Sequence, residues 1–438
     1  MPNIHGYSDK ISVASGERIR FMVSVEDADR YRAEIVRLIH GDANPDGPGF
    51  KDELIHASAS GEYPGRFQPV RAGSHIVIED PGALLDINDA LTVHAFVKPT
   101  TPAKGLQGIV TRWDAQRRTG WALMIDDQRR PALWLGDGAG HLLQFAAPVA
   151  LLADVWYAAG ASYDGARGSV IIRLEPVINS VNSLIGPVAT IAPAMTHRAT
   201  VERIDFRSSA TAVIAGWCGM PAATGVMVDG HYNGKIDRPR VYRRALNAAE
   251  LAELSAGREP DGNGLLARWD FADGIGPAGI PSDHVSDVSS NGLHGRCVNM
   301  PARAVTGYNW SGREEHFTHA PTEYGAIHFH DDDLEDAGWE PSFELTVPET
   351  MRSGVYAACV RAGNASDYIP FFVRAARPQS EVVFLAPTAS YMAYANEQLA
   401  FGVGMGAIMG RMTLIQAEDI YLHQHPELGL STYDHHAD

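Results

Sequence analysis

The sequence predicts a mainly β protein: two β-sandwiches followed by the opening of an α/β domain. Three observations carry this. Gly (43) and Pro (26) together make up about one residue in six of the 438, above the roughly 12% of average chains, so turns are frequent. Short runs that alternate apolar and polar residues recur as far as residue 373, with almost no helical periodicity. At 381–386 (EVVFLA) an unbroken apolar run replaces the alternation, as a parallel strand covered on both faces requires. The length allows about three domains at roughly 100–200 residues each, and 45% hydrophobic residues suffice for several cores.

The elements follow in order. ISV (11–13) leads through the turn ASGE (14–17) into IRFMVSV (19–25), where a period of two places Ile19, Phe21, Val23 and Val25 on one face. A second strand covers 33–39, and GDANPDGPG (41–49) is loop. Residues 1–70 thus supply two or three strands, too few to close a core alone. Evenly spaced short strands then follow at 74–78, 91–97, 108–111, 121–125, 132–135, 156–159 and 169–174, predicting a sandwich over 71–257. Asp164-Gly165 predicts a tight hairpin turn, and Asn247 caps a short helix over 248–255 that Gly257 stops.

Residues 258–340 read as a connector rich in Trp and His. Alternation returns in SFELTVP (342–348), GVYAACV (354–360) and YIPFFV (368–373). Residues 341–378 therefore supply the second half of the sandwich begun by 1–70. Either half alone would expose a hydrophobic edge, and pairing removes both. Residues 379–438 read as the beginning of an incomplete α/β domain, since one βαβ unit needs about 30 residues and a domain more than about 100.

The balance of 36 basic against 53 acidic residues, a net charge of −17, excludes nucleic acid and anionic membrane as partners. Cys218, Cys297 and Cys359 stand too far apart for a metal or redox motif, and an odd count argues for reduced, buried thiols. The first thirty residues lack a basic stretch followed by an apolar one, which predicts no secretory leader and a cytoplasmic location. The best apolar run, 149–161, is broken by Asp154 and is too short to span a bilayer.

Among 18 histidines, three groupings have chelating spacing. HFHDDD (328–333) puts two imidazoles on one strand face ahead of three carboxylates, which would suit a divalent ion but reads more readily as a solvated acidic turn. HQHPE (423–427) and YDHHAD (433–438) are the others. No Gly-rich phosphate loop, Gly-x-Ser-x-Gly elbow or Cys/His dyad stands out.

Two resemblances add to this reading. LTVHAFVKP (91–99), Trp121, Trp134, Trp156 with YDG (163–165), YNGKID (232–237) and YRRAL (242–246) resemble a concanavalin-like, laminin-G-type jelly roll. The strands of 341–373 resemble an immunoglobulin-like sandwich, so the jelly roll is inserted between its halves. Over nearly the whole chain, SVASGERI (12–19), LIHGD (38–42), GIGPAGIP (274–281), YIPFFV (368–373), SYMAYANE (390–397) and LGLSTYD (428–434) resemble the N-terminal portion of the N,N-dimethylformamidase large (beta) subunit family.

That resemblance implies an amidohydrolase that converts N,N-dimethylformamide, or a similar small N-substituted amide, to dimethylamine and formate. It implies a mononuclear iron, Fe(III), held by a Tyr, a His and a Glu. The family's Tyr falls on Tyr433, and a hard phenolate oxygen suits ferric iron, whose Lewis acidity activates water. The family's His and Glu lie in a His-Pro-Glu string downstream of that Tyr, so the resemblance implies a natural chain longer than 438 residues. His425-Pro426-Glu427 repeats those three residues but precedes Tyr433 and lacks the family's flanking residues; it reads as coincidence. Ser390 and Asn396, just past the first strand of the α/β domain, are candidates to support the site, and no catalytic residue is assigned. The resemblance also implies a small partner subunit and hence a hetero-oligomer of large and small subunits. The competing reading is a carbohydrate-binding, ligand-binding or assembly module without catalysis of its own. The missing leader and unpaired cysteines weigh against a lectin working outside the cell.

Overall fold

The computed structural model describes residues 3–42, 46–179, 181, 193–222, 225–375, 377, 380–398, 417–425, 428–429 and 431. They are mainly β and fall into two units, one drawing on residues up to Arg71 and from Asp336 onward, the other on Ala72–Glu335.

The first unit packs two sheets face to face. Arg18–Val25 lies between Ile4–Ser8 and Phe343–Thr346, antiparallel to both. The facing sheet runs Ser12–Ala14, Ala365–Arg374, Gly354–Ala362, Arg30–His40 and Lys51–Ile55, with Gly61–Pro64 also on Arg30–His40. Ser12–Ala14 pairs in parallel with Ala365–Arg374, and the other pairs are antiparallel. The alternation expected at 19–25 holds: Ile19, Phe21, Val23 and Val25 are all buried in the shared core. Phe21 stacks on Phe343 at 4.8 Å and meets Phe371 edge-on at 5.6 Å. Residues more than 300 positions apart thus close one apolar layer, whose burial offsets the entropy of joining distant segments.

Beyond Arg374 the structure departs from expectation. Glu381–Ala386 does not form a strand; Val382, Val383, Phe384 and Leu385 are 84%, 79%, 75% and 88% exposed. An apolar run becomes a buried strand only with partners along its edges, and no described strand pairs with this one. The regular elements described here are two short helices, Thr388–Ala393 and Ala417–Gln424, so the expected α/β sheet is not formed among the described residues.

The second unit is also a pair of sheets. One runs Leu142–Ala146, Pro131–Asp137, Thr119–Ile125, Gln107–Asp114, Val213–Ile214, His75–Ile78, Gly295–Val298 and His284–Val285. The other runs Met195–Thr200, Ser169–Pro176, Tyr157–Asp164, Ala90–Pro99, Gly234–Tyr242, Ala326–Phe329 and Ala302–Val305. Trp121 and Trp269 are fully buried between them, and each indole N–H is satisfied by a carbonyl, of Leu85 at 3.2 Å and of Leu293 at 2.7 Å. Residues 258–340 are therefore not a spacer. Leu265–Arg268, Gly295–Val298 and Ala326–Phe329 extend both sheets, and Trp269, Phe271 and Phe329 fill the core.

Two local expectations can be compared directly. Asn247 does cap Ala248–Ser255: its side chain accepts from the amides of Ala249 (2.8 Å) and Glu250 (3.1 Å), and Glu250 accepts from the Asn247 amide. The hairpin at Asp164 is longer than a two-residue turn. Tyr157–Asp164 and Ser169–Pro176 are joined by four residues, and Asp164 accepts from the amide of Arg167 at 3.0 Å. The three cysteines are free and buried.

Candidate functional site

Tyr433 lies outside the described residues, as do Glu427, His435 and His436. Ser390 is exposed on the helix Thr388–Ala393. The neighbouring rings of Tyr391 and Tyr394 are half exposed. Asn396 has a left-handed backbone (φ 58°) and its side-chain amide donates to the carbonyls of Leu428 (2.9 Å) and Gly429 (3.2 Å). The Ser431 hydroxyl, nearly inaccessible, donates to the Ala393 carbonyl at 2.8 Å. Ala393 and Asn396 thus meet Leu428, Gly429 and Ser431, and Asn396 acts there as a staple between backbone segments.

The acidic turn 331–333 is tied up by its own surroundings. Asp331 takes Lys104 at 2.7 Å and the Asn233 amide at 3.1 Å, while His330 pairs with Asp333 at 3.3 Å. Among the described residues, no three His, Cys, Asp or Glu side chains are arranged to hold a metal ion.

A cavity of about 210 Å³ opens in the first unit. His5 reaches it because Ile4–Ser8 buries Ile4 and turns the next side chain the other way. Ser24 and Glu26 come from the end of Arg18–Val25, and Tyr421 and His425 from one face of a helix end at i, i+4. The Tyr421 hydroxyl and His5 Nε2 share a 2.7 Å hydrogen bond, and the Tyr421 ring stacks on His425 at 4.1 Å. Burial lowers the pKa of His5, reinforced by His425 and opposed by Asp367 and Glu26, so its imidazole stays neutral at pH 7.

The opposite wall is held rigidly. Gln68 donates to the carbonyls of Val23 (3.0 Å) and Glu340 (3.2 Å) and accepts from the Glu340 amide (2.9 Å). Trp339 donates its indole N–H to the Pro69 carbonyl at 3.0 Å and its amide to the Tyr7 hydroxyl at 3.1 Å. The Ser24 hydroxyl accepts from the Gln68 amide at 2.8 Å. Sequence reasoning singled out His425 only for its spacing from Glu427 and missed His5, Glu26 and Tyr421. The one local signal was the i, i+4 relation of Tyr421 and His425.

Comparison with known proteins gives a family match and two similar relatives. A family described as "N,N-dimethylformamidase beta subunit-like, C-terminal" matches residues 302–438. The chain is 42% identical over 441 residues to the N,N-dimethylformamidase beta subunit of Paracoccus aminophilus and 43% identical over 443 residues to that of an Alcaligenes species. Each match covers 99% of this chain and 58% of the relative. The chain is therefore similar along nearly its whole length to N,N-dimethylformamidase beta subunits, and it spans less than two thirds of the length of these relatives. Among solved structures it overlays a carbohydrate-binding module of a Ruminococcus gnavus sialidase (15% identical, 43% of this chain and 95% of that one, TM-score 0.32). It also overlays a heptameric SAP-like pentraxin from Limulus polyphemus (14%, 60% and 95%, TM-score 0.30). Likenesses this slight carry no conclusion.

In the described residues, no helix is long and apolar enough to cross a membrane.

Proposed function

We propose that this chain is part of the large subunit of an amidohydrolase that hydrolyses N,N-dimethylformamide or a similar small N-substituted amide. Water adds across the C–N bond, and dimethylamine and formate leave in equal amounts. The observation that supports this is the 42–43% identity to two N,N-dimethylformamidase beta subunits along 99% of the chain. Their designation as beta subunits supports assembly with a second kind of subunit in a hetero-oligomer; a small size for that subunit and a cytoplasmic location belong to the same proposal. Ferric iron bound through Tyr433 belongs to the same proposal and rests on the string LSTYD (430–434). The described residues supply no ligand set for it. Within the fold, the first unit is read as an immunoglobulin-like sandwich and the second as a laminin-G-like jelly roll. Residues 379–438 are read as the beginning of an incomplete, Rossmann-like α/β domain.

The test is an amide-hydrolysis assay on the protein isolated in its native assembly, with iron measured on the same preparation. Release of dimethylamine together with iron in proportion to the large subunit supports the proposal. A folded, assembled protein that leaves N,N-dimethylformamide intact overturns it, and activity without iron removes the metal part alone.

A further inference from the structure

The cavity of the first unit has a lining with a definite charge preference. Glu26 brings a carboxylate to it, held at 3.3 Å by the Asn3 side-chain amide. None of the described residues lining it is Lys or Arg. The aromatic rings of Phe67, Trp339 and Tyr421 border the same space, and their π faces are electronegative. His5 adds no competing positive charge, because burial keeps it neutral. Pro69, Val70 and Leu428 supply apolar surface for alkyl groups. A carboxylate, aromatic walls and apolar patches around a small volume match an organic cation better than a neutral or anionic guest.

From this lining we propose that the cavity is a binding site for a small alkylammonium ion, with its N–H groups on Glu26 and its methyl groups against the rings. The assignment rests on the lining alone and stands apart from the amidase reading, although dimethylammonium is also the amine that such a hydrolysis would release.

Binding is tested by titrating dimethylammonium chloride into the protein with calorimetry or ligand-observed NMR, using potassium chloride and a neutral alcohol of similar size as controls. A ligand this small is expected to bind with a dissociation constant of about a millimolar. Glu26→Gln, at an exposed position that leaves the fold intact, should weaken binding about tenfold or more, and Trp339→Leu several-fold. Absence of saturable binding overturns the proposal, as does equal binding of the neutral alcohol or an unchanged affinity in Glu26→Gln. Saturable binding by a protein that hydrolyses no amide would uphold this site while the amidase reading fails. Hydrolysis without such binding would do the reverse.

Discussion

Asp237 offers a sharp test of the energetics of the second unit. Its carboxyl is 1% exposed, and a Cβ at Gly307 would stand 2.5 Å from Oδ2, so the group is enclosed by backbone. Burial pushes its pKa from 3.8 up to about 7, with Arg238, the Tyr308 amide and Arg240 pulling down and Asp270 pushing up. Between those two pH values the folded protein keeps a proton that the unfolded chain has released. Stability therefore falls as pH rises through the window, by at most about 1.4 kcal/mol per pH unit, and is flat above it. From pH 5 to pH 8 this amounts to about 3 kcal/mol. Asp237→Asn removes the titration while preserving shape. Urea unfolding followed by the fluorescence of the buried Trp121 and Trp269 at both pH values isolates the effect as the difference between the two profiles. Wild type should lose about 3 kcal/mol more than the variant across that range. Parallel profiles would refute the reasoning, since they would mean that the carboxyl is not buried as described.

Three further outcomes follow from single contacts. Asn247→Ala removes both cap acceptors of Ala248–Ser255 and should cost about 1 kcal/mol, read as a shift in urea midpoint with unchanged slope. Phe21→Ala empties the centre of the first unit's core and should cost about 3–5 kcal/mol in denaturant unfolding, whereas a loss under about 1 kcal/mol would contradict the packing. Asn396→Ala leaves the Leu428 and Gly429 carbonyls without their donor; it should cost about 1–2 kcal/mol locally, seen as faster hydrogen exchange over 390–397 with the sandwich strands unchanged.

What could be read from the sequence was what local chemistry decides. Ile19, Phe21, Val23 and Val25 alternate because one face of their strand is core, and Asn247 with Glu250 writes a helix start in four residues. What could not be read depends on distant partners. The strands within 258–340 are two to four residues long and gain their place by pairing with His75–Ile78 and Gly234–Tyr242, far away in sequence. EVVFLA has the composition of a buried strand but lacks, among the described residues, the neighbours that would make it one. The cavity escaped notice because His5 and Tyr421 are 416 positions apart and only folding brings them together. Tyr433 was recognised by its string alone.

We propose that this chain works in amide hydrolysis. This is tested most directly by measuring dimethylamine and formate released from N,N-dimethylformamide by the protein in its native assembly. Both products are expected in equal amounts, with a loss of release when Tyr433 is replaced by Phe without loss of assembly. An intact assembly that releases neither product would contradict it.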